Sequence, residues 1–458
     1  MSRMSDVEAL MWAVEQDPAL RSDFCNLTMV DTPIDFARMQ RRIPSIVRAV
    51  PKLGQRVVEA PFRLTSPEWV SSDIDVSYHL QRATVPAPGG ERELLAACAA
   101  IADQPFDRSR PLWQFFIFDG LADGGGAMLQ KVHHTITDGV GGLKLSLQVV
   151  DLEADPPLVD LRADDPDTPL LTDTNEGGPS VLSAARTAIG DVATRTVGVA
   201  TQALVSTGRI VSDPLGTPGR VGEALALVGS LRRQVLVTES ARSDLIDDRC
   251  LERRFALQRF PMPQAKLRAK ELGGSLNDFF VTVIADALGR YHRALGSDIH
   301  ELRMAMPINT RTRGDDAANQ FTPSRVLIPI DATSPAALFT AVQQRLAITR
   351  REPALDTANG LAGLAVNFPT SMLTAAARNQ TRTIDFATSN LRGSPVPLFL
   401  VGSRIVANFP LGPRTGCAFN ISMMSYCDEL NIGCNLDPAA ITDPELLLQS
   451  IREAFLEL

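Results

Sequence analysis

Apolar residues recur along the first part of the chain at two spacings, one typical of helices and one typical of strands. Helices are predicted by three- and four-residue spacing over residues 6–14, 34–51 and 89–106. Two apolar runs, residues 111–121 and 127–134, flank the turn LADGGG and predict a β-hairpin. A glycine-containing helix is predicted over residues 140–151, so the second strand of the hairpin leads into a helix.

The same mixture of patterns recurs after residue 248. Strands are predicted at residues 253–262, 301–309, 324–330, 383–390, 398–410 and 416–436, and helices within 265–295, at 338–351 and at 444–458. Ser275 and Asp278 have the spacing of a capping box at the start of one of these helices. Each half therefore predicts an α+β fold rather than a doubly wound sheet, because neither a GxGxxG loop nor a Walker loop is present.

The composition changes between the two halves. Residues 153–180 are rich in Pro, Asp and Thr, which predicts a linker or a long surface loop, and helical patterns follow at 181–211 and 220–239. These helices either pack on the two domains or present an interfacial surface to lipid. The predicted division is an N-terminal domain (1–152), a connector (153–247) and a C-terminal domain (248–458).

Charge and composition exclude several functions. A formal net charge of −8, a pI near 5.3 and the lack of a basic tract argue against a nucleic-acid partner. The charged N-terminus and the absence of an 18-residue apolar run predict a cytoplasmic protein without a membrane-spanning helix. The six cysteines form no CxxC pair, so reduced thiols are expected rather than disulfides or a metal site.

The stretch HHTITDG, residues 133–139, is the strongest candidate for chemistry. His133 and His134 are two of only five histidines in the chain, and Asp138 and Gly139 follow them. A histidine held at a strand-to-helix junction can act as a general base near neutral pH, and His134 is predicted to do so. His133 belongs to the candidate catalytic set, but adjacent residues at a strand end point to opposite sides, which favours a structural role for it.

The residues around this motif limit the types of reaction that it can catalyse. Asp138 either orients the imidazole or pairs with an arginine and anchors the loop. No GxSxG elbow and no cysteine nucleophile accompany the histidine. A base without a protein nucleophile indicates that the substrate supplies the nucleophile, such as an alcohol or an amine.

Together these features make the chain resemble the bacterial wax ester synthase/diacylglycerol acyltransferase family, within the superfamily of chloramphenicol acetyltransferase and peptide-synthetase condensation domains. The motifs that carry the resemblance are HHTITDG, Pro111-Leu112-Trp113 with Asp119-Gly120, Asn277-Asp278, Thr388-Ser389-Asn390 before Gly393, and the charged loop NTRTRGDDAANQF. They occur in order from near the N-terminus to the last strands. One departure is Arg392, which stands where the family's SNVPGP stretch has its first proline.

The resemblance implies two chloramphenicol acetyltransferase-like domains with the active-site channel between them. It implies that His134 takes a proton from an acceptor hydroxyl, which then attacks an acyl-CoA thioester without an acyl-enzyme and without a cofactor. Asn277 is then a candidate oxyanion donor, while Gly139, Ser389 and Asn390 are candidates for substrate binding. Pro111, Leu112, Trp113 and Asp278 are expected to be structural, with Asp278 as a cap or an inter-domain anchor.

The implied activity is synthesis of triacylglycerol from diacylglycerol, or of wax ester from a long-chain alcohol. Such lipid substrates imply a cytoplasmic enzyme that can lie peripherally on the inner membrane face or on lipid inclusions. Two alternatives stay open: a polyketide-associated or condensation-type acyltransferase with another acceptor, and a catalytically weak paralogue that binds acyl lipids.

Overall fold

The computed structural model describes residues 2–60, 65–136, 145–146, 148–155, 242–309, 321–350 and 370–458. Several predicted features lie outside the described residues: the connector helices at 181–211 and 220–239, half of the helix at 140–151, Asp138 and Gly139. The described residues form two six-stranded mixed sheets with helices packed against them, which confirms the predicted α+β fold with two domains.

The first sheet carries the hairpin predicted around LADGGG. In spatial order its strands are β12 (Phe399–Leu400), β13 (Ser403–Leu411), β2 (Asp23–Val30), β7 (Gly126–His133), β6 (Trp113–Asp119) and β5 (Leu80–Thr84). All neighbours are antiparallel except β5 and β6. A separate three-stranded sheet has the order β1 (Ser2–Arg3), β4 (Glu68–Ser71) and β3 (Gln55–Val58).

The second sheet is built entirely from the second half of the chain. Its order is β10 (Phe321–Pro329), β9 (Glu301–Asn309), β11 (Phe386–Arg392), β14 (Phe419–Tyr426), β15 (Glu429–Leu436) and β8 (Arg254–Pro261). Strand β11 is parallel to both of its neighbours, and the remaining pairs are antiparallel.

Five of the described helices begin after a side chain that accepts from a first-turn amide: Ser5, Asp35, Asp75, Ser275 and Asp443. The helices are α1 (Asp6–Val14), α2 (Phe36–Ala49), α3 (Val76–His79), α4 (Glu91–Asp103), α5 (Met262–Glu271), α6 (Leu276–Ala294), α7 (Pro335–Arg350), α8 (Thr370–Thr381) and α9 (Pro444–Glu457). The predicted capping box at α6 is present, because the Ser275 side chain accepts from the Asp278 amide and Asp278 accepts from the Ser275 amide. Helix α8, which buries none of its residues, is not among the predicted helices.

Strand β13 joins the two halves. It belongs to the first sheet, yet the chain reaches it only after passing through β11 of the second sheet. It also packs against β14 and β15, where the backbone approach is so close that a Cβ on Gly433 would lie 2.1 Å from the carbonyl oxygen of Pro410. Two strands from the predicted domain 248–458 thus complete the sheet of the predicted domain 1–152, so the division by residue number does not coincide with the two sheets.

The core of the first half contains Trp113 and His79, which stack with ring centroids 4.3 Å apart. Both side chains are almost fully buried, and His79 Nδ1 donates to the carbonyl oxygen of Trp113 at 2.7 Å. Burial lowers the pKa of His79 to about 4, so the ring is neutral in the folded protein at neutral pH.

Within the described residues, no helix is long and apolar enough to cross a membrane.

Folding stability is expected to fall as the pH drops from 6.5 towards 4. In that window the unfolded chain binds a proton at residue 79 that the folded chain does not, since the folded pKa of His79 is depressed from 6.5 to about 4. One such proton contributes a slope of about 1.4 kcal/mol per pH unit. Urea unfolding at pH 4.5, 5.5 and 6.5 should therefore show a shallower decline for His79→Gln than for the parent protein.

His300 provides the matched control, because its side chain is 74% exposed and pairs with Asp331 at the surface. His300→Gln should keep the parent slope. Burial also lowers the pKa of His292. This residue is present in both variants, so a residual dependence of stability on pH remains. An identical decline for His79→Gln and the parent would show that His79 is not the group that titrates.

Candidate active site

The two adjacent histidines lie where β7 ends. His133 is the last residue of the strand and its amide still donates to the carbonyl oxygen of Leu112, at 3.0 Å, across the hairpin. The amide of His134 instead donates to the carbonyl oxygen of Ser22, at 3.2 Å, on the side of β2. The strand therefore holds both residues by main-chain hydrogen bonds, but from two different neighbours.

The PLW motif, residues 111–113, packs beside the end of β7 and hydrogen-bonds to it. Leu112 supplies the carbonyl that accepts from His133, and Trp113 follows it as the first residue of β6. The Trp113 ring is fully buried, and its indole N–H donates to the carbonyl oxygen of Leu53 at 2.8 Å. Pro111 is buried beside them. The motif residues thus contact the site through the backbone and the core.

His133 is buried and engaged at both ring nitrogens. Nδ1 accepts from the amide of Thr135 at 3.2 Å and contacts the Thr135 hydroxyl at 2.7 Å. Nε2 lies 2.6 Å from Oε2 of Glu15. Because the Thr135 amide donates to Nδ1, a ring proton lies on Nε2 and is donated to Glu15. The rings of Trp12 and Phe106 pack edge-on against the imidazole.

Glu15 is charged although it is buried. Burial by itself would raise the pKa of this carboxyl, but the contact with His133 and the hydrogen bond from the Ser22 amide outweigh it, so the pKa lies below its ordinary value. The Ser22 amide donates to Oε1 at 2.7 Å, and the guanidinium of Arg108 lies 3.6 Å from Oε2.

Thr135, on the other side of His134, is fixed by a second ion pair. Lys52 donates to the carbonyl oxygen of Thr135 at 3.1 Å and to the buried carboxylate of Glu8 at 2.6 Å. The Lys52 ammonium also lies over the Trp69 ring, 5.0 Å from its centroid. Both flanking residues of His134 are thereby tied to charged groups from helix α1 and the turn after α2.

His134 itself is partly exposed, unlike its neighbour. Its ring meets the ring of Phe24 edge-on, with centroids 5.4 Å apart. Adjacent residues 133 and 134 thus occupy different environments, one enclosed by aromatic rings and charges and the other at the surface of the site. Asp138 and Gly139, the rest of the motif, lie outside the described residues.

A buried ion pair connects the second half of the chain to this strand end. Arg253, directly before β8, donates to both carboxylate oxygens of Asp23, at 2.7 and 3.0 Å. Burial by itself would raise the pKa of Asp23, but the charge and the hydrogen bonds of Arg253 outweigh it and lower the pKa. Asp23 is paired with His133 in the sheet, so Arg253 fixes the strand that receives the His134 amide.

A buried lysine lies on the same strand pair. Lys131 donates to the carbonyl oxygens of Ile101 and Gln104, at 3.0 and 2.5 Å, which satisfies the end of helix α4. Burial lowers the pKa of this ammonium group.

Within the ranges that the structure describes, no three His, Cys, Asp or Glu side chains are grouped as metal ligands.

The predicted substrate residues of the second half lie on two faces of β11. Asn390 donates to the Asn277 side chain at 3.3 Å, towards helix α6, and the Asn277 amide nitrogen is 4.0 Å from the sulfur of Met306. Ser389 points to the opposite face, because side chains alternate along a strand. It is paired there with Ser422, whose hydroxyl lies close to Gly412 after β13. Asp278 caps α6 and pairs with Arg350.

Glu15 and Arg253 were not identified from the sequence. Glu15 ends an ordinary amphipathic helix, and its partner His133 is 118 residues away in the chain. Arg253 and Asp23 are separated by 230 residues. No local spacing marks such pairs. The only available signal was the cluster of acidic residues in and after α1 beside an aromatic residue, which many surface helices share.

The family resemblance is confirmed by comparison with known proteins. The family model of the wax ester synthase/diacylglycerol acyltransferase catalytic domain matches residues 4–280, and that of the WS/DGAT C-terminal domain matches residues 317–458. A Mycobacterium tuberculosis protein, whose name provisionally describes it as a diacylglycerol O-acyltransferase, is 32% identical over 467 residues, covering 100% of this chain and 92% of the relative.

Solved structures share the fold. The wax ester synthase/diacylglycerol acyltransferase from Marinobacter aquaeolei aligns with a TM-score of 0.65 at 19% identity, over 100% of this chain and 98% of that one. A variant of the starter condensation domain of rhizomide synthetase, in complex with C8-CoA, aligns with a TM-score of 0.60 at 12% identity, over 100% and 94%.

The ion pair of Arg253 with Asp23 leads to a stability prediction. Arg253→Met should lower the free energy of unfolding by about 3–5 kcal/mol at pH 7, because it leaves the Asp23 carboxylate buried without its partner. Combining it with Asp23→Asn should recover much of the loss, since residue 23 is then uncharged and Asp103, the other partner of Arg253, is about one-third exposed. Urea denaturation of the two variants and the parent measures both effects.

An exposed arginine serves as the control. Arg268 pairs with Glu271 at 3.2 Å, but both side chains are about half exposed. Arg268→Met should change the free energy of unfolding by less than about 1 kcal/mol. If Arg253→Met were equally mild, the pair with Asp23 would not hold the two halves together.

Proposed function

Because the chain belongs to the wax ester synthase/diacylglycerol acyltransferase family and is an O-acyltransferase, we propose that it transfers a fatty acyl group from acyl-CoA to diacylglycerol or to a long-chain alcohol. The general base of the proposed reaction is His134. The observation that carries this assignment is the contrast between the two histidines, of which His133 is enclosed and bonded at both nitrogens while His134 lies partly exposed.

The proposed mechanism is a direct transfer. His134 accepts the proton of the acceptor hydroxyl as its oxygen attacks the thioester carbonyl, which forms the new C–O bond and places negative charge on the carbonyl oxygen. Collapse of this intermediate breaks the C–S bond, and the imidazolium of His134 returns its proton to the CoA sulfur. The thioester is already activated, so the step needs neither a cofactor nor a metal ion.

The oxyanion also needs a hydrogen-bond donor. Asn277 remains a candidate for it, and its side-chain amide is held by Asn390 and lies near Met306. Ser389 is the better candidate for a contact with substrate on the first-sheet side, because it points to the face of β11 on which β13 packs against β14. Gly139 and Asp138 complete the proposed site, with Asp138 as loop anchor or orienter of the imidazole.

The acceptors also suggest where the enzyme works. Diacylglycerol and long-chain alcohols partition into lipid, so we place the reaction at a lipid surface that the protein meets peripherally. A condensation-type reaction with a carrier-bound or polar acceptor, and acyl-lipid binding without turnover, are the outcomes that would replace this proposal.

The test is a transfer assay with the purified protein. Labelled palmitoyl-CoA is incubated with dioleoylglycerol or hexadecanol, and neutral lipids are separated. Label should enter triacylglycerol or wax ester, and His134→Ala should lower kcat by roughly 100- to 10,000-fold. His300→Ala, which removes an exposed histidine, should leave the rate unchanged.

The other outcomes each overturn part of the proposal. CoA release that requires a carrier-bound or polar acceptor would replace the lipid acceptor. Saturable acyl-CoA binding without transfer to any acceptor would replace the enzymatic function. Full activity of His134→Ala would overturn the assignment of the base.

A further inference from the structure

Glu15 contacts His133 and Ser22, which are both hydrogen-bonded or adjacent to His134. We propose that Glu15 is a positioning residue, whose carboxylate sets the orientation of the backbone on both sides of His134. This inference rests on the proposed role of His134 as general base.

The two carboxylate oxygens serve two different routes to His134. Through Oε1, Glu15 accepts the Ser22 amide at 2.7 Å, and the carbonyl oxygen of Ser22 accepts the His134 amide at 3.2 Å. Through Oε2, it accepts the Nε2 proton of His133 at 2.6 Å. One carboxylate thus connects Ser22, whose carbonyl accepts the His134 amide, with the side chain of His133.

The second route continues past His134. The His133 ring receives the Thr135 amide on Nδ1, so the ring spans from Glu15 to the residue after His134. Residues 133, 134 and 135 are therefore held as a unit from the end of helix α1. A shift of this unit would move the imidazole of His134, and a displacement of about 1 Å can lower a catalysed rate on the order of 100-fold.

A carboxylate is an unfavourable choice for this position unless its charge has a use. Glu15 is the C-cap residue of α1, where the helix dipole disfavours an anion, and its side chain is 6% exposed. The lowered pKa of Glu15 is consistent with a charged group that binds donors. Burial of such a charge does not by itself increase stability relative to a well-packed apolar group. The geometry therefore points to orientation of the two donors.

The kinetic test compares Glu15→Gln with Glu15→Ala in the acyl transfer assay. An amide keeps one acceptor oxygen but faces the other donor with an NH2 group, so Gln should retain part of the activity. We expect kcat to fall by roughly 10- to 100-fold for Ala and less for Gln, with the KM for acyl-CoA unchanged within about twofold. A His133→Phe variant should add little to Glu15→Ala, because both changes break the same connection.

Asp385→Asn provides the matched control. Asp385 is also a fully buried carboxylate and accepts the main-chain amides of Arg242, Ser243 and Arg303, but it lies at the start of β11 in the second sheet. It should lower the melting temperature and leave kcat within about twofold. A loss of kcat in Asp385→Asn equal to that in Glu15→Ala would mean that general destabilisation explains the effect.

A readout that does not need turnover separates this inference from the proposed function. Because the chain has only five histidines, the protein labelled with 15N-histidine should show the Nε2 proton of His133 as a downfield, slowly exchanging signal. Glu15→Gln should shift that proton and make it exchange faster, and Asp385→Asn should not.

The outcomes distinguish the two claims. An unchanged His133 proton in Glu15→Gln, or full kcat in Glu15→Ala beside an inactive His134→Ala, would overturn the positioning role and leave the proposed function intact. Full activity in His134→Ala would overturn the base assignment, and with it the positioning role.

Discussion

Strand β2 is the constraint on which the two halves and the histidine pair depend. It lies between β7 and β13 and pairs with both, so it cannot change register without disrupting two hydrogen-bond ladders. One of these neighbours ends at His133, and the other comes from the far end of the chain. The start of β2, Ser22 and Asp23, receives the His134 amide and the guanidinium of Arg253. The place of the site is therefore determined by sheet pairing before any side chain of the site is considered.

Buried charges around the end of β7 restrict the positions of the groups that they bind, at a cost in folding stability. The side chains of Asp23, Glu15 and Lys131 are all buried, and each has partners close in space. These are Arg253 for Asp23, His133 and the nearby Ser22 amide for Glu15, and the last carbonyls of helix α4 for Lys131. Apolar side chains would fill the same space with less desolvation. A charge that must remain paired, however, tolerates only small displacements of its donors. This arrangement suits a site whose function depends on the orientation of one ring more than on total stability.

The sequence predicted the local part of this structure and could not predict the rest. The hairpin, the two histidines at its end, the capping box at Ser275 and most helices follow from spacing within ten to twenty residues, and the structure has them. The return of β13 to the first sheet could not be predicted, because β13 has the same apolar pattern as strands that remain in the second sheet. Ser389 and Asn390 were grouped as substrate residues, but alternation along β11 places them on opposite faces. Glu15 and Arg253 could not be predicted, because hydrogen bonds between residues 118 or 230 positions apart leave no local pattern in the sequence.

The proposed difference in role between His133 and His134 has a chemical reason. In a direct transfer, the base must accept a proton from the acceptor hydroxyl and later give it to the leaving sulfur, so it needs a ring nitrogen that substrate can reach. A protein carboxylate bonded to that nitrogen would compete with substrate for it. Orientation of the base is better imposed through its backbone and its neighbours. His133, Thr135 and Ser22 are such neighbours, and the structure ties all three to one another through Glu15 and the end of β7. In the proposed mechanism, the two adjacent histidines therefore have different roles: the His133 ring holds the backbone and the His134 ring moves the proton.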